Sequence, residues 1–159
     1  MNIRATLRCA EPSDLERLVE LFIELGNHDI ALGQRRPLRW SVDPAGSARS
    51  RFSQAIGNPS EHVVVVVDQH DDVVGVCYTS LKGEGHPCPA HVHTLILDEA
   101  HRGQGLGRML LDDAFDWCAE NFVDEVSLDV APRSTRSRRF YQRYGFEEAS
   151  VLLIKKVEG

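Results

Sequence analysis

The segment Arg102-Gly103-Gln104-Gly105-Leu106-Gly107 lies between a strand-like run ending at Leu97 and an amphipathic run starting near Gly105. Its three alternating glycines let the backbone come close to a ligand and turn successive N–H groups toward one point. The helix that follows adds the positive end of its dipole. Together these features predict a cradle for a pyrophosphate. An ATP-type loop needs Gly-Lys-Ser/Thr after the turn, and Gly107-Arg108-Met109 stands there instead. A dinucleotide-type GxGxxG needs a third glycine where Arg108 stands. Asp129 falls about where a ribose-binding acid belongs, but the chain has too few strand–helix units for that fold.

Outward from this point the chain reads as alternating elements. His91 to Leu97 predicts the strand before the cradle, and Gly105 to Asn121 the helix after it, with Leu106, Met109, Leu110, Ala114, Trp117 and Cys118 inward. Upstream, Val63 to Val67 is a run of five valines, the pattern of a strand buried on both faces. Asp68 to Asp72 is a polar turn, Val73 to Leu81 the returning strand, and Gly83 to Pro89 a loop. At the start, Ile3 to Arg8 alternates as a strand. A helix follows, with Ser13 and Glu16 as a capping box, an apolar stripe of Leu15, Leu18, Val19, Phe22 and Leu25, and Gly26 as its C-terminal cap. A second helix starts at Ser41 or Asp43, with Pro44 in its first turn, and ends near Ile56. Downstream come a strand over Glu125 to Val130, a helix over Ser134 to Tyr144 stopped by Gly145, and a last strand over Glu147 to Lys156. Hairpin-linked strands followed by helix-linked ones predict an α/β (α+β) fold, with a mixed, mostly antiparallel central sheet and helices on both faces.

The 159 residues predict one domain, 1–159. A formal net charge of −6 argues against a general nucleic-acid binder. No apolar run approaches the ~20 residues of a membrane span, and the N-terminus lacks an apolar signal core. The cysteines (Cys9, Cys77, Cys88, Cys118) show no repeated spacing, which predicts reduced thiols and a cytoplasmic location.

The run from Leu95 through Gly107 resembles motif A of the GCN5-related N-acetyltransferases (GNAT): Gln/Arg-x-x-Gly-x-Gly/Ala is met by Arg102, Gly105 and Gly107. Phe140-Tyr141-Gln142-Arg143-Tyr144-Gly145-Phe146 resembles the family's second motif. The element order fits as well, so the resemblance covers nearly the whole chain. It departs at Ser134, where the family often has Asn, and at Ser137, where it often has Ala. The resemblance implies acetyl-CoA as co-substrate and no metal, with direct acetyl transfer to a primary amine in a ternary complex. The pyrophosphate would lie on the amides of Gly103, Gln104, Gly105, Leu106, Gly107 and Arg108, beside Arg102. The pantetheine arm would pair with Leu95, Ile96 and Leu97. A bulge in that strand would splay it from the next and make Leu95 the oxyanion donor. Tyr141 would protonate the leaving thiolate, with Ser134 and Ser137 near the cofactor. Arg133, Arg136, Arg138, Arg139 and Arg143 put five positive charges within eleven residues. One or two of them, Arg139 among them, would approach the adenosine 3′-phosphate.

The amine must lose a proton. His91 and His93 are two apart on a strand and share a face, and imidazole titrates near neutrality. Their placement nine and eleven residues before Arg102 resembles the arylalkylamine branch of the family, in which paired histidines relay the proton. Glu84, Glu99 and His86 are spare candidates. The acceptor would be shaped by Asn27 to Trp40, with Arg35, Arg36 and Arg39, and by the loop Gly83 to Pro89. A small molecule fits the histidine resemblance better than a protein terminus. Homodimers are common in the family, but nothing in the sequence marks an interface. Two other readings compete: a non-catalytic acyl-CoA sensor, and a zinc cluster from His86-x-Cys88-x-x-His91-x-His93, whose two prolines stiffen it and whose spacing matches no finger.

Overall fold

Five strands pair in the order β1-β2-β3-β4-β5 among the residues described by the structure, a computed structural model covering residues 4–31, 43–155 and 157–158. They are β1 (Thr6–Cys9), β2 (Glu61–Val67), β3 (Val73–Leu81), β4 (Cys88–Leu97) and β5 (Val123–Leu128), with helices α1 (Leu15–Ala31), α2 (Pro44–Ala55), α3 (Leu106–Glu120) and α4 (Thr135–Tyr144). The first four strands are antiparallel neighbours and β5 runs parallel to β4. This is the mixed α/β sheet that the element order predicts. Ile3, Ser41, Arg35, Arg36, Arg39 and Trp40 lie outside the described residues.

The valine run of β2 is buried on both faces, as its pattern requires. Val63, Val65 and Val67 join Leu18, Leu21, Phe52 and Tyr78 under α1 and α2. Val64 and Val66 join Leu106, Leu110, Leu111 and Ala114 under α3, where Phe140, Tyr141 and Tyr144 of α4 also pack. No described helix is long and apolar enough to cross a membrane.

Several boundaries differ from the sequence reading. Asp14, not Ser13, organises the start of α1: its carboxylate accepts the Glu11 N–H at 2.8 Å and a bidentate pair from Arg8 at 2.7 and 3.0 Å. Gly26 does not end α1, which runs on to Ala31. One internal glycine costs about 1 kcal/mol, less than the fully buried Leu18 and Leu21 return. Asp43 caps α2 as expected, accepting the Gly46 N–H at 3.0 Å. β4 begins inside the expected loop, because Pro89 sits at an irregularity in the β4–β5 register where no ladder donor is needed. β5 starts and stops two residues early; left-handed Phe122 turns the chain out of α3, and the pairing ends where β4 diverges. Residues 147–155, expected as a strand, form none and are mostly exposed. No sheet neighbour within the described chain is paired to them.

The Arg8 guanidinium holds the Asp14 carboxyl below its usual range, against a burial effect in the opposite direction. A depressed carboxyl stabilises the fold above its unfolded pKa of ~3.9 and loses that contribution as the pH falls through its folded value. Asp14→Ala should cost about 1–3 kcal/mol in urea unfolding at neutral pH. The gap from wild type should narrow below pH ~4.

Candidate active site

The cradle begins where β4 ends. Asp98 accepts the Ala100 N–H at 2.9 Å and the Arg17 guanidinium at 2.9 Å, while Arg17 also donates to the Val73 carbonyl at 3.0 Å. α1 is thereby tied to the turn that precedes the glycines. Gly103 and Gly105 have φ of +77° and +82°, the left-handed region that side chains rarely enter. The first backbone bond of α3 runs from the Met109 N–H to the Gly105 carbonyl at 3.1 Å. Among the described residues, the amides of Gly103, Gln104, Gly105, Leu106, Gly107 and Arg108 have no acceptor. A Cβ on Gly105 would meet nothing within 4 Å, so the space above these amides is open. Six free donors at a helix N-terminus match a multiply charged anion such as a pyrophosphate.

The side chains expected around the cradle divide. Arg102 turns back, its Nε donating to the Leu97 carbonyl at 3.2 Å, so it braces the turn. Leu106 is core, and only its amide faces the cradle side. Gly107 lies against Leu97 and Phe140, where a Cβ would sit 3.6 and 3.7 Å from them, which explains why alanine is tolerated there in the motif. Gln104 is exposed, and Arg108 lies over the Tyr144 ring at 5.7 Å. Arg139 lines a shallow groove with Gln142 and Arg143 farther along α4. Arg136 comes closer, with a terminal nitrogen 3.4 Å from where a Cβ on Gly103 would be. It lay in the arginine run but nothing in its spacing singled it out. Ser134 is the N-cap residue of α4 without a side-chain cap bond, and Ser137 is exposed.

β4 carries a bulge at His93. Tyr78 pairs with Thr94 and Thr79 with Val92, so His93 has no partner on β3. The extra residue flips the alternation. His91, His93, Thr94 and Ile96 fall on the α1/α2 face, and Val92, Leu95 and Leu97 on the α3/α4 face. On the opposite edge, pairing with β5 ends at Val92–Leu128. Leu95, Ile96 and Leu97 therefore pair only with β3 and leave their other edge open.

The two histidines meet edge to face at 4.9 Å. His93 stacks on Tyr78 at 4.6 Å; its Nε2 lies 2.6 Å from Ser80 Oγ and its Nδ1 3.2 Å from the Arg51 guanidinium. Arginine can only donate, so Nδ1 holds the lone pair and Nε2–H points to Ser80. Burial, aided by His91, Arg51 and Lys82, pushes the His93 pKa down to about 4. His91 Nδ1 lies 2.8 Å from Ser127 Oγ, and its Nε2 3.5 Å from an Asp129 carboxylate oxygen. Burial lowers its pKa too, against the pull of Asp129. Ser80 was discernible as a polar residue in an apolar strand. Arg51 and Ser127 reach the pair only through tertiary packing.

Tyr141 packs edge to face with Phe140 at 5.3 Å and Phe146 at 5.7 Å, in the same cluster as Leu95 and Leu97. Its hydroxyl has no partner among the described residues. Burial, with a smaller push from Cys77, raises its pKa above the ordinary phenol value. Cys77 is itself buried, and its thiol is pushed up to about 12. Of the spare candidates, His86 lies edge-on to Phe122 at 5.4 Å and Glu84 is exposed. No three His, Cys, Asp or Glu residues among the described ones gather as a metal site.

Known proteins match this geometry. Residues 18–146 match the acetyltransferase (GNAT) family. The chain is 30% identical over 107 residues to the mycothiol acetyltransferase of Propionibacterium freudenreichii, covering 67% of this chain and 34% of that protein, so it spans about a third of that relative. The BH1408 protein from Bacillus halodurans superposes with a TM-score of 0.79 at 22% identity, covering 96% of this chain and 99% of the other. Aminoglycoside N-acetyltransferase AAC(6')-Iy, solved with CoA, gives a TM-score of 0.75 at 15% identity over 100% of this chain and 98% of the other. At such identities the two structures speak for the fold alone. A glycine cradle before α3, a strand that parts from its parallel neighbour, and a family match over most of the sequence lead to one conclusion: this chain belongs to the GNAT acetyltransferase family.

Proposed function

We propose that the protein transfers the acetyl group of acetyl-CoA directly onto a primary amine of a small molecule, within a ternary complex, in the cytoplasm. The observation that carries this reading is the row of six unpartnered amides at the start of α3, continuous with the open edge of β4. The cradle holds the pyrophosphate, with the Arg136 guanidinium beside Gly103, and Leu95 to Leu97 offer their backbone to the pantetheine arm. The buried positions of Cys77, Cys88 and Cys118, all unpaired, suit a reducing compartment.

When bound, acetyl-CoA supplies an activated acyl carbon and a thiolate leaving group. His91 is the proton acceptor. Its Nδ1 lies 2.8 Å from Ser127 Oγ, and the tautomer that donates Nδ1–H to that oxygen leaves Nε2 with its lone pair. A proton taken up at Nε2 then faces Asp129. His93, low in basicity and with its lone pair against Arg51, positions His91 instead. The Leu95 N–H donates to the carbonyl oxygen as charge gathers there, worth ~3–4 kcal/mol in comparable acyl transfers. Tyr141, held protonated by burial, gives its proton to the departing sulfur.

The first test is titration calorimetry with acetyl-CoA: binding is expected, and its loss in Gly105→Val, where the backbone is left-handed and the space above open, with the circular dichroism spectrum unchanged. No heat with the native chain defeats the reading. Tyr141→Phe should lower turnover about 10²–10⁴-fold, read as released thiol, with little change in acetyl-CoA affinity. Because burial depresses the His91 pKa, the rate should rise with pH through a midpoint below the ordinary ~6.5 and level off above it. His91→Ala should remove that acid limb, whereas His93→Ala should lower the rate and leave the limb in place.

A further inference from the structure

Arg51 lies on α2 one turn after Ser47, and both line a cleft between α2 and the sheet, with Phe22, Phe52, Tyr78 and Thr94. Two contacts orient Arg51 there. Its Nη2 donates to His93 Nδ1 at 3.2 Å, and its guanidinium carbon lies 5.9 Å from the centre of the Tyr78 ring. The bond to His93 uses one of the five N–H donors of a guanidinium. Other arginines of the fold have carboxylates: Arg49 holds Glu16 at 2.8 and 3.0 Å, Arg8 holds Asp14 and Arg17 holds Asp98. Arg51 has no carboxylate among the described residues, in a chain with 24 acidic side chains against 18 lysines and arginines. Glu61, on the same face of the sheet, is engaged by the Tyr78 hydroxyl and by the Asn58 amide at 3.1 Å. Lys82 adds positive charge that both histidines feel, and the acid that acts on His91 is the exposed Asp129.

We propose that Arg51 selects the acceptor, an amino acid with an apolar side chain, by holding its carboxylate while the amine sits beside His91. This rests on the transferase reading above and names its substrate class. A planar guanidinium pairs with a carboxylate through two parallel N–H···O bonds, and one such fork matches a monoanion. Phe22, Phe52 and Tyr78 line the cleft for the side chain. The His93 ring, bonded to Arg51 and 4.9 Å from the His91 ring, separates the two anchor points and keeps both within reach of one small molecule. A plain arylalkylamine leaves the cation unpaired. In the transfer, the neutral amine nitrogen bonds the acetyl carbon as the C–S bond breaks. The amine proton goes to His91, the thiolate takes the proton of Tyr141, and the products are an N-acetylamino acid and CoA.

Thiol release from acetyl-CoA is measured with L-leucine, L-methionine and L-phenylalanine, with the carboxamide of each, with the amine each becomes without its carboxyl group, and with phosphoethanolamine. kcat/KM is counted on the neutral amine, so that differences in amine basicity drop out. Each amino acid should exceed its carboxamide by about 10–100-fold, the range of a hydrogen bond to a charged group. Arg51→Met, its fold checked by circular dichroism, should erase that preference. Any loss that reaches the reaction through His93 falls on all acceptors alike and cancels in the ratio. The proposal is overturned by a native enzyme that uses the carboxamides or decarboxylated amines as readily as the acids, or by an Arg51→Met chain that slows every acceptor by one factor. Turnover of phosphoethanolamine alone also overturns it and gives the cation to a phosphate. If acetyl-CoA binds and nothing in the panel is acetylated, the acceptor assignment falls and the transferase reading stands. If acetyl-CoA gives no heat, both fall.

Discussion

The extra residue at His93 governs the architecture around the site. A bulge puts two residues opposite one, bends the strand and increases its twist. In this sheet it also shifts the face alternation, so that His91 and His93 remain on the α1/α2 side while Leu95 and Leu97 move to the α3/α4 side. It falls where β4 stops pairing with β5, and the resulting fork exposes a backbone edge next to the glycine turn. Without the bulge, β4 would continue in register beside β5, and no linear ligand could lie along it. The open edge beside the glycine turn, and the placing of Leu95 and Leu97 on the α3/α4 face, are thus consequences of one added residue.

The two faces of the sheet have separate tasks. Under α1 and α2 the histidines sit among Tyr78, Ser80 and Arg51, in surroundings that favour neutral imidazole. Under α3 and α4 Tyr141 lies among aromatic rings that favour the neutral phenol. Both groups proposed to handle protons are therefore neutral at rest, for the same reason: burial penalises the charged form of each. They lie on opposite sides of the strand whose edge is open.

Much of this was readable before the structure. Periodicity marked the valine strand, the α3 stripe and the glycine turn, because each is a local consequence of spacing. Asp43 with Pro44 marked the start of α2 for the same reason. What escaped depends on tertiary partners. Asp14 prevailed over Ser13 because Arg8 comes from β1, and α1 overran Gly26 because core contacts outweigh a local helix breaker. Arg136 comes to the glycine turn because the packing of Phe140 and Tyr144 sets the rotation of α4. The terminal run 147–156 reads as a strand by composition, and a strand also needs an edge to pair with.

Cys77 has a consequence of its own. It is fully buried, in the same apolar cluster as Leu95, Leu97 and the proposed acid Tyr141. A thiolate there would compete with the amine and trap the acyl group on the protein itself. With its thiol pushed up to about 12, Cys77 remains protonated at physiological pH and is a poor nucleophile. Under the proposed mechanism, the dry layer that keeps the tyrosine ready to donate would therefore also guard the enzyme against self-acylation.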